Sequence, residues 1–326
     1  MMKSELALEV RRKVLVVVGT RPEAIKLLPV IRALRSDPRL EPLVVTTGQH
    51  PGVVESILGL DGVIPTADIG VGNTARGGLT DLFTAVMTGL EQFFLSQFEA
   101  AERPSSPGDE SYPVACLVHG DTTSAAAAAM AAFHRRIPVV HVEAGLRTGG
   151  IRSPFPEELN RQLISRIATF HVAPTYANLQ NLVREGVAVE RIFVTGNTAI
   201  DALRWAAEQH APYADPQLAI LEDEDTPVVV VTAHRRENWG EGLQHIASAV
   251  ARLADAYPRV RFVLPLHPDP RVAAPSGGAW TADRTCCLSR HWTTCSSPGC
   301  CAERSSRSAT PEACRRRHQR WVSRSW

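Results

Sequence analysis

Lysine is almost missing from this 326-residue chain; Lys3, Lys13 and Lys26 are all it has, and arginine carries the remaining positive charge. The formal net charge is only +1 at pH 7, so no strongly basic balance marks nucleic acid as a partner. Cysteine is scarce through the body of the chain, where Cys116 stands alone before Cys286. A disulfide framework is therefore not what holds the fold together. The other cysteines lie at irregular spacings without a C-x-x-C pair, which argues against zinc, and no metal site is expected. No apolar run approaches bilayer-spanning length, and the first residues, MMKSELALEV, put acidic groups where a signal peptide needs an apolar core. The expectation is a cytoplasmic protein with no membrane contact. Neither G-x-G-x-x-G nor G-x-x-x-x-G-K-[ST] occurs, so no dinucleotide fingerprint or P-loop is present.

What is present is repeated strand and helix. Lys13 to Val18 is an apolar run followed by GTRPEAIKLLPVIRALRS, with Pro22 placed for a first helical turn and Pro29 placed to kink the helix. Gly19 permits a close backbone approach, and the helix N-terminus offers unpaired N–H groups. The turn could thus hold an anion with help from Arg21 and Lys26. Leu43 to Thr46 is a second strand, and Gln49 and His50 follow its end. From Leu79 to Phe98 apolar residues recur at helical spacing and predict a core helix. Val114 to Val118 predicts a buried strand, then HGDTTS, then an Ala-rich helix through Met130. Asp121 at that strand end reads either as an N-cap or as a functional acid.

The centre of the chain is Val139 to Arg161, VVHVEAGLRTGGIRSPFPEELNR. A strand ends in a loop carrying Glu143, and a helix restarts with Glu157 and Glu158. Open α/β sheets place their chemistry at such strand ends. Glu143 and Asp121 should share one edge of a parallel sheet, a pattern suited to proton transfer. The alternative is that Glu157 and Glu158 only complement a helix dipole and pair with Arg161. Strands and helices continue through Thr195. After an acidic, Pro-containing stretch the pattern resumes at Val228, with His234, Arg235 and Arg236 at a strand end as candidate acid/base or pyrophosphate groups.

Beyond Val272 the pattern stops. Residues 273–326 hold nine Arg but only Leu288 and Val322 from the set Leu, Ile, Val, Met and Phe, too few to build a core at either period. The change fits a coding frame lost near codon 272, with a disordered basic tail as the competing account. The expected organisation is 1–200 as one Rossmann-like domain, 201–272 as a partial second, and 273–326 as an aberrant tail.

These blocks together resemble the non-hydrolysing UDP-N-acetylglucosamine 2-epimerases. VVGTRPEAIKLLPV, TTGQH, LVHGDTTS, HVEAGLRTG, SPFPEELNR, VTGNTAIDAL and TAHRREN occur in the family's order over about residues 13–272. The resemblance implies an α/β GT-B architecture of two Rossmann-like domains with parallel sheets, here with the second truncated, and no cofactor. It implies an isomerase that interconverts UDP-N-acetylglucosamine and UDP-N-acetylmannosamine by UDP elimination and re-addition through 2-acetamidoglucal. Asp121, Glu143, Glu157 and His234 match the family's catalytic positions, and Arg21 and Lys26 match substrate-binding ones.

Gln49, His50, Arg76 and Arg235 match positions that in some members contact a second UDP-N-acetylglucosamine acting as activator. The family often has a longer polar side chain where this chain has Gly52. A homodimer is the family's habit. An Asp-Ser-Gly-Gly block followed by paired glutamates, which grips uridine and phosphate in the family, is absent here, and weak UDP binding with impaired turnover is the expectation. Alternatives are a GT-B UDP-sugar glycosyltransferase, a hydrolysing relative, and a non-catalytic remnant that binds a nucleotide sugar or an intact subunit.

Overall fold

In a computed structural model of the chain, the described residues are 11–73, 77–98, 112–209, 218, 221, 227–232, 241–265 and the backbone of 286–289. Contacts divide the chain into two units, Met1–Glu208 and Gln209–Trp326. No described helix is long and apolar enough to cross a membrane.

The first unit is built on a seven-stranded sheet. Its strands are β1 (Arg12–Val18), β2 (Leu40–Thr46), β3 (Ala67–Asp68), β4 (Ala115–His119), β5 (Val139–Val142), β6 (Phe170–Ala173) and β7 (Ile192–Val194). They lie in the order β3-β2-β1-β4-β5-β6-β7, and all neighbours are parallel. Parallel strands buried on both faces need apolar residues at successive positions, which RKVLVVV supplies from Val14 onward. The two-residue period of the strand then deals these side chains to opposite faces. Leu15 and Val17 join a core with Val86, Leu90, Phe93 and Phe94, whereas Val14, Val16 and Val18 join one with Leu27, Leu28 and Ile31.

Helices α1 (Arg21–Ser36), α2 (Val53–Gly59), α3 (Leu79–Gln97), α4 (Thr123–His134), α5 (Glu157–Ile167), α6 (Tyr176–Arg184) and α7 (Thr198–Glu208) connect the strands. Helix α4 can lie close to the sheet because Ala125 to Ala129 are all buried and carry only a methyl. It runs one turn past Met130, where the sequence reading ended it. Helix α1 continues as one element through Pro29, with Leu27, Leu28 and Ile31 around it held in the core. Helix α2 went unread, for it is short and begins at a left-handed glycine, Gly52 (φ 78°), rather than at a polar cap.

The strand order runs outward in both directions from the adjacent pair β1 and β4. This is the point where the winding reverses, and in open sheets the crevice for a ligand lies there, beyond the strands' C-terminal ends. The loops after β1 and β4 are therefore the geometric centre of interest.

The second unit contains β8 (Val228–Val230), α8 (Glu241–Ala256), β9 (Arg261–Pro265) and β10 (Cys286–Ser289), with a parallel sheet in the order β10-β9-β8. Val250 and Ala254 of α8 pack with Phe262 of β9. The first unit runs to Glu208, and α7 packs on α1. Trp205 joins the core under α1, and the Arg32 guanidinium lies 5.4 Å from its ring centre. Within the stretch expected to be a tail, the described residues Cys286–Ser289 form the strand β10 beside β9.

Candidate functional site

At the winding reversal, the loops after β1 and β4 are locked together. Gly19 has no room for a side chain, since a Cβ there would lie 2.7 Å from Cβ of Ser124. Glu23, in the first turn of α1, folds back so that its Oε2 accepts from the Gly19 and Thr20 backbone N–H groups at 2.9 and 2.6 Å. Its other oxygen accepts from the Thr122 hydroxyl at 2.6 Å. The glycine turn expected to offer its amides to a ligand anion has filled them with the chain's own carboxylate. The helix start attracts negative charge as expected, but a side chain three or four residues away answers first. Burial pushes the Glu23 carboxyl above its ordinary range, opposed by the Thr122 hydroxyl and by the charge of His119.

Thr122, not Asp121, caps α4, its side chain accepting from the Ala125 N–H at 3.0 Å. Asp121 is thus left free of the helix. It forms an ion pair with Arg161, and its backbone carbonyl accepts from Asn160 Nδ2 at 2.9 Å. Helix α5 is in this way tied to the end of β4.

Glu143 sits immediately after β5 with φ 62°, a left-handed conformation that a β-carbon makes unfavourable. Such strain is retained where surrounding structure imposes it, often at functional sites. Lys26 Nζ donates to both carboxylate oxygens, at 2.8 Å (Oε1) and 2.7 Å (Oε2). His119 Nε2 lies 3.5 Å from Oε2. Burial alone would raise the carboxyl, but His119 and Lys26 outweigh it and hold it down at about 2. Glu143 is accordingly an anion throughout the neutral range.

The two glutamates at the start of α5 separate in role. Glu158 is wholly buried, and its Oε2 accepts from the Thr148 backbone N–H and hydroxyl and from Arg161 at 3.1, 3.0 and 3.1 Å. Burial is offset by Gln162, Thr148 and Arg161, which lower its carboxyl. It is a structural group that fixes the preceding loop. Glu157 keeps one buried oxygen, Oε2, with no hydrogen-bond partner. The dipole-and-Arg161 explanation therefore fits Glu158, and Glu157 is left available for a ligand.

Of the remaining candidates, Arg21 is exposed at the first position of α1, one turn from Lys26. Gln49 Oε1 accepts from the Ser124 hydroxyl at 2.8 Å, which places Gln49 at the same edge, while His50 is exposed. Arg76, His234 and Arg235 lie outside the described residues. Sequence reasoning did not single out Glu23, His119 or Asn160, although each falls inside a block it quoted; none stands out by periodicity, and only the crossing of β1, β4 and α5 brings them together. A separate cavity of about 590 Å³ between α1, α7 and the sheet is lined by Val30, Ala33, Leu117, Val142 and Thr198 among others and holds none of the candidates. Among the described residues no cluster of His, Cys, Asp or Glu has the arrangement of a metal site.

The arrangement can do proton transfer beside an anion. It supplies a permanent carboxylate with a cation on it, a second acid paired to a buried arginine, and a third acid with an unpartnered oxygen. Comparison with known proteins gives the family. The family model described as UDP-N-acetylglucosamine 2-epimerase matches residues 32–277. The UDP-N-acetylglucosamine 2-epimerase of Salmonella typhimurium is 42% identical over 268 residues, covering 81% of this chain and 67% of that relative. The crystal structure of UDP-GlcNAc 2-epimerase from Neisseria meningitidis bound to UDP-GlcNAc is 35% identical with a TM-score of 0.67, covering 85% of this chain and 71% of that one. The S. aureus MnaA–UDP co-structure is 36% identical with a TM-score of 0.69 over 85% and 68% of the two chains.

Proposed function

We propose that this chain, which belongs to the UDP-N-acetylglucosamine 2-epimerase family, interconverts UDP-N-acetylglucosamine and UDP-N-acetylmannosamine by eliminating and re-adding UDP. The observation that carries the reading is the Glu143–Lys26 pair at the strand edge, with Asp121 and Glu157 on neighbouring elements. Elimination needs a base at C2 and positive charge at the leaving diphosphate, and here both are set side by side.

In the forward direction a carboxylate takes the C2 proton. The C–H electron pair becomes the C1–C2 double bond, the C1–O bond breaks, and UDP departs with that bond's electrons, leaving 2-acetamidoglucal. In this reading Lys26 and Arg21, on the first turns of α1, meet the departing diphosphate. Return of a proton on the other face of C2, followed by re-addition of UDP, gives the epimer. Two proton-transfer groups are required. Glu143 after β5 supplies one, and the Asp121–Glu157 side of the crevice, joined through Asn160 and Arg161, supplies the other. His234 is retained from the family motif as a residue of the second unit. UDP-N-acetylglucosamine is the substrate and, through Gln49, His50, Arg76 and Arg235, an activator. A cytoplasmic setting and a homodimer are part of the same reading, as is slow turnover, because residues 273–326 carry no Asp-Ser-Gly-Gly block.

Incubation with UDP-N-acetylglucosamine in D2O tests this. The expected result is deuterium at C2 of the recovered nucleotide sugar together with UDP-N-acetylmannosamine, followed by NMR. Transfer of sugar to an acceptor without C2 exchange would instead indicate a glycosyltransferase. Accumulation of free N-acetylmannosamine would indicate a hydrolysing enzyme.

A further inference from the structure

We propose that His119 is a positioning residue that fixes which oxygen of Glu143 faces the reactant. The inference rests on the reading of Glu143 as a proton-transfer group and adds the device that orients it. Lys26 donates to both oxygens at nearly equal distances, 2.8 and 2.7 Å, so it holds the carboxylate without distinguishing its ends. It also reaches the site on a flexible stem, with its side chain 25% exposed, and in the proposed reaction it meets the departing diphosphate. A cation drawn toward a ligand cannot at the same time define the geometry of the base.

His119 has the opposite properties. It is the last residue of β4, held in register opposite Val142 of β5, one position before Glu143. Its side chain is only 4% exposed, and its Nε2 lies 3.5 Å from Oε2. That nitrogen is buried and has no other hydrogen-bond partner. An unpartnered buried nitrogen is unfavourable by about 1–3 kcal/mol, so a small closing movement that completes the bond to Oε2 is favoured. Oε1 is then left for the C2 proton once Lys26 turns to the diphosphate. The charged and titratable groups around this contact are Lys26 and Glu23 from α1 and His141 from β5. Glu23 is already fully bonded to Gly19, Thr20 and Thr122, and His141 Nε2–H donates to the Gly120 carbonyl at 2.7 Å. Neither competes for His119 Nε2.

The test uses the ligand-free full chain, so it is independent of turnover. Glutamate labelled with 13C at the side-chain carboxyl is titrated by NMR, with the Glu143 signal assigned by its loss in Glu143→Gln. His119→Phe keeps a planar ring but removes the donor, and the Glu143 midpoint is expected to rise by about one pH unit. His119→Gln, whose amide can reach the Nε2 position, is expected to return most of that shift, whereas the shorter His119→Asn is not. A merely structural histidine would give no such pattern. If His119→Phe or His119→Asn, whichever folds, leaves the midpoint where it is in the parent chain, the proposal is overturned. Failure of the epimerase reading registers separately, as absence of C2 exchange in the parent chain while the midpoint still responds to His119.

Discussion

Two glutamates, the buried Glu23 and the half-buried Glu143, both interact with His119, and they differ in what satisfies them. Glu23 is met by two backbone amides and a hydroxyl, all fixed in place by the turns after β1 and β4. Glu143 is met by a mobile ammonium and a histidine nitrogen, and its backbone is bent to φ 62° to present it. Neutral donors hold Glu23 without lowering its carboxyl below the ordinary range, and burial raises it. Lys26 and His119 hold Glu143 at about 2 despite burial. The difference teaches that a carboxylate bound by fixed backbone dipoles is architecture, whereas one bound by a displaceable charge can be released for chemistry.

The sharpest way to break this comparison is Glu143→Gln. Loss of a proton-transfer group lowers rate by roughly 10² to 10⁴, so deuterium incorporation at C2 is expected to fall by that factor in a chain that still folds but has lost the stabilisation of the Glu143–Lys26 pair. Unchanged exchange would put Glu143 in the same structural class as Glu23. Next in size is Glu23→Ala, which strands the Gly19 and Thr20 amides and the Thr122 hydroxyl; about 2–4 kcal/mol of stability should be lost, read from urea unfolding.

Acid sharpens the comparison through the neighbouring strands. Burial lowers His141 to about 3 and His171 to about 4, and both stay neutral in the fold. Each binds a proton on unfolding below its ordinary value near 6.5, so the unfolded state is favoured as pH falls from 6.5 toward 4 and 3. His141 alone contributes a slope of about 1.4 kcal/mol per pH unit in that window. Glu143 has the same sign at lower pH, since its stabilisation is present above its unfolded value near 4.5 and is lost as pH falls through about 2. Urea midpoints from pH 7 to 4 should decline, and His141→Asn should flatten the decline. The smallest expected effect is Thr122→Ala, which removes the α4 cap for about 1 kcal/mol. It also takes one donor from Glu23, so its effect on urea midpoints should shrink in a Glu23→Ala background, whereas its effect in Glu143→Gln should be undiminished.

Much of the first unit was legible. β1, α3 and β4 follow from apolar runs and helical spacing, and their bounds fall within a residue or two of the expectation. Helix α2 and the two-residue strand β3 were not read, being too short to display a period. In the site, Glu143 and Asp121 were legible as acids at strand ends because a parallel sheet brings its C-terminal ends to one edge. The anion-holding turn was misread for a local reason, since Thr20 and Glu23 stand at capping-box spacing and Glu23 fills the amides itself, with Thr122 closing on its other oxygen from 99 residues later.

By itself the sequence determined the alternation of strand and helix, the family blocks and the strand-end acids, because each of these is written in residues close together along the chain. Only the tertiary structure decided that Glu158 is a buried structural group while Glu157 keeps an unpartnered oxygen, that Lys26 rests on Glu143, and that His119 Nε2 comes within 3.5 Å of Glu143 Oε2. Those outcomes depend on distances between elements far apart in the chain. Such distances are fixed when β1, β4 and β5 pack side by side, and no local spacing encodes them.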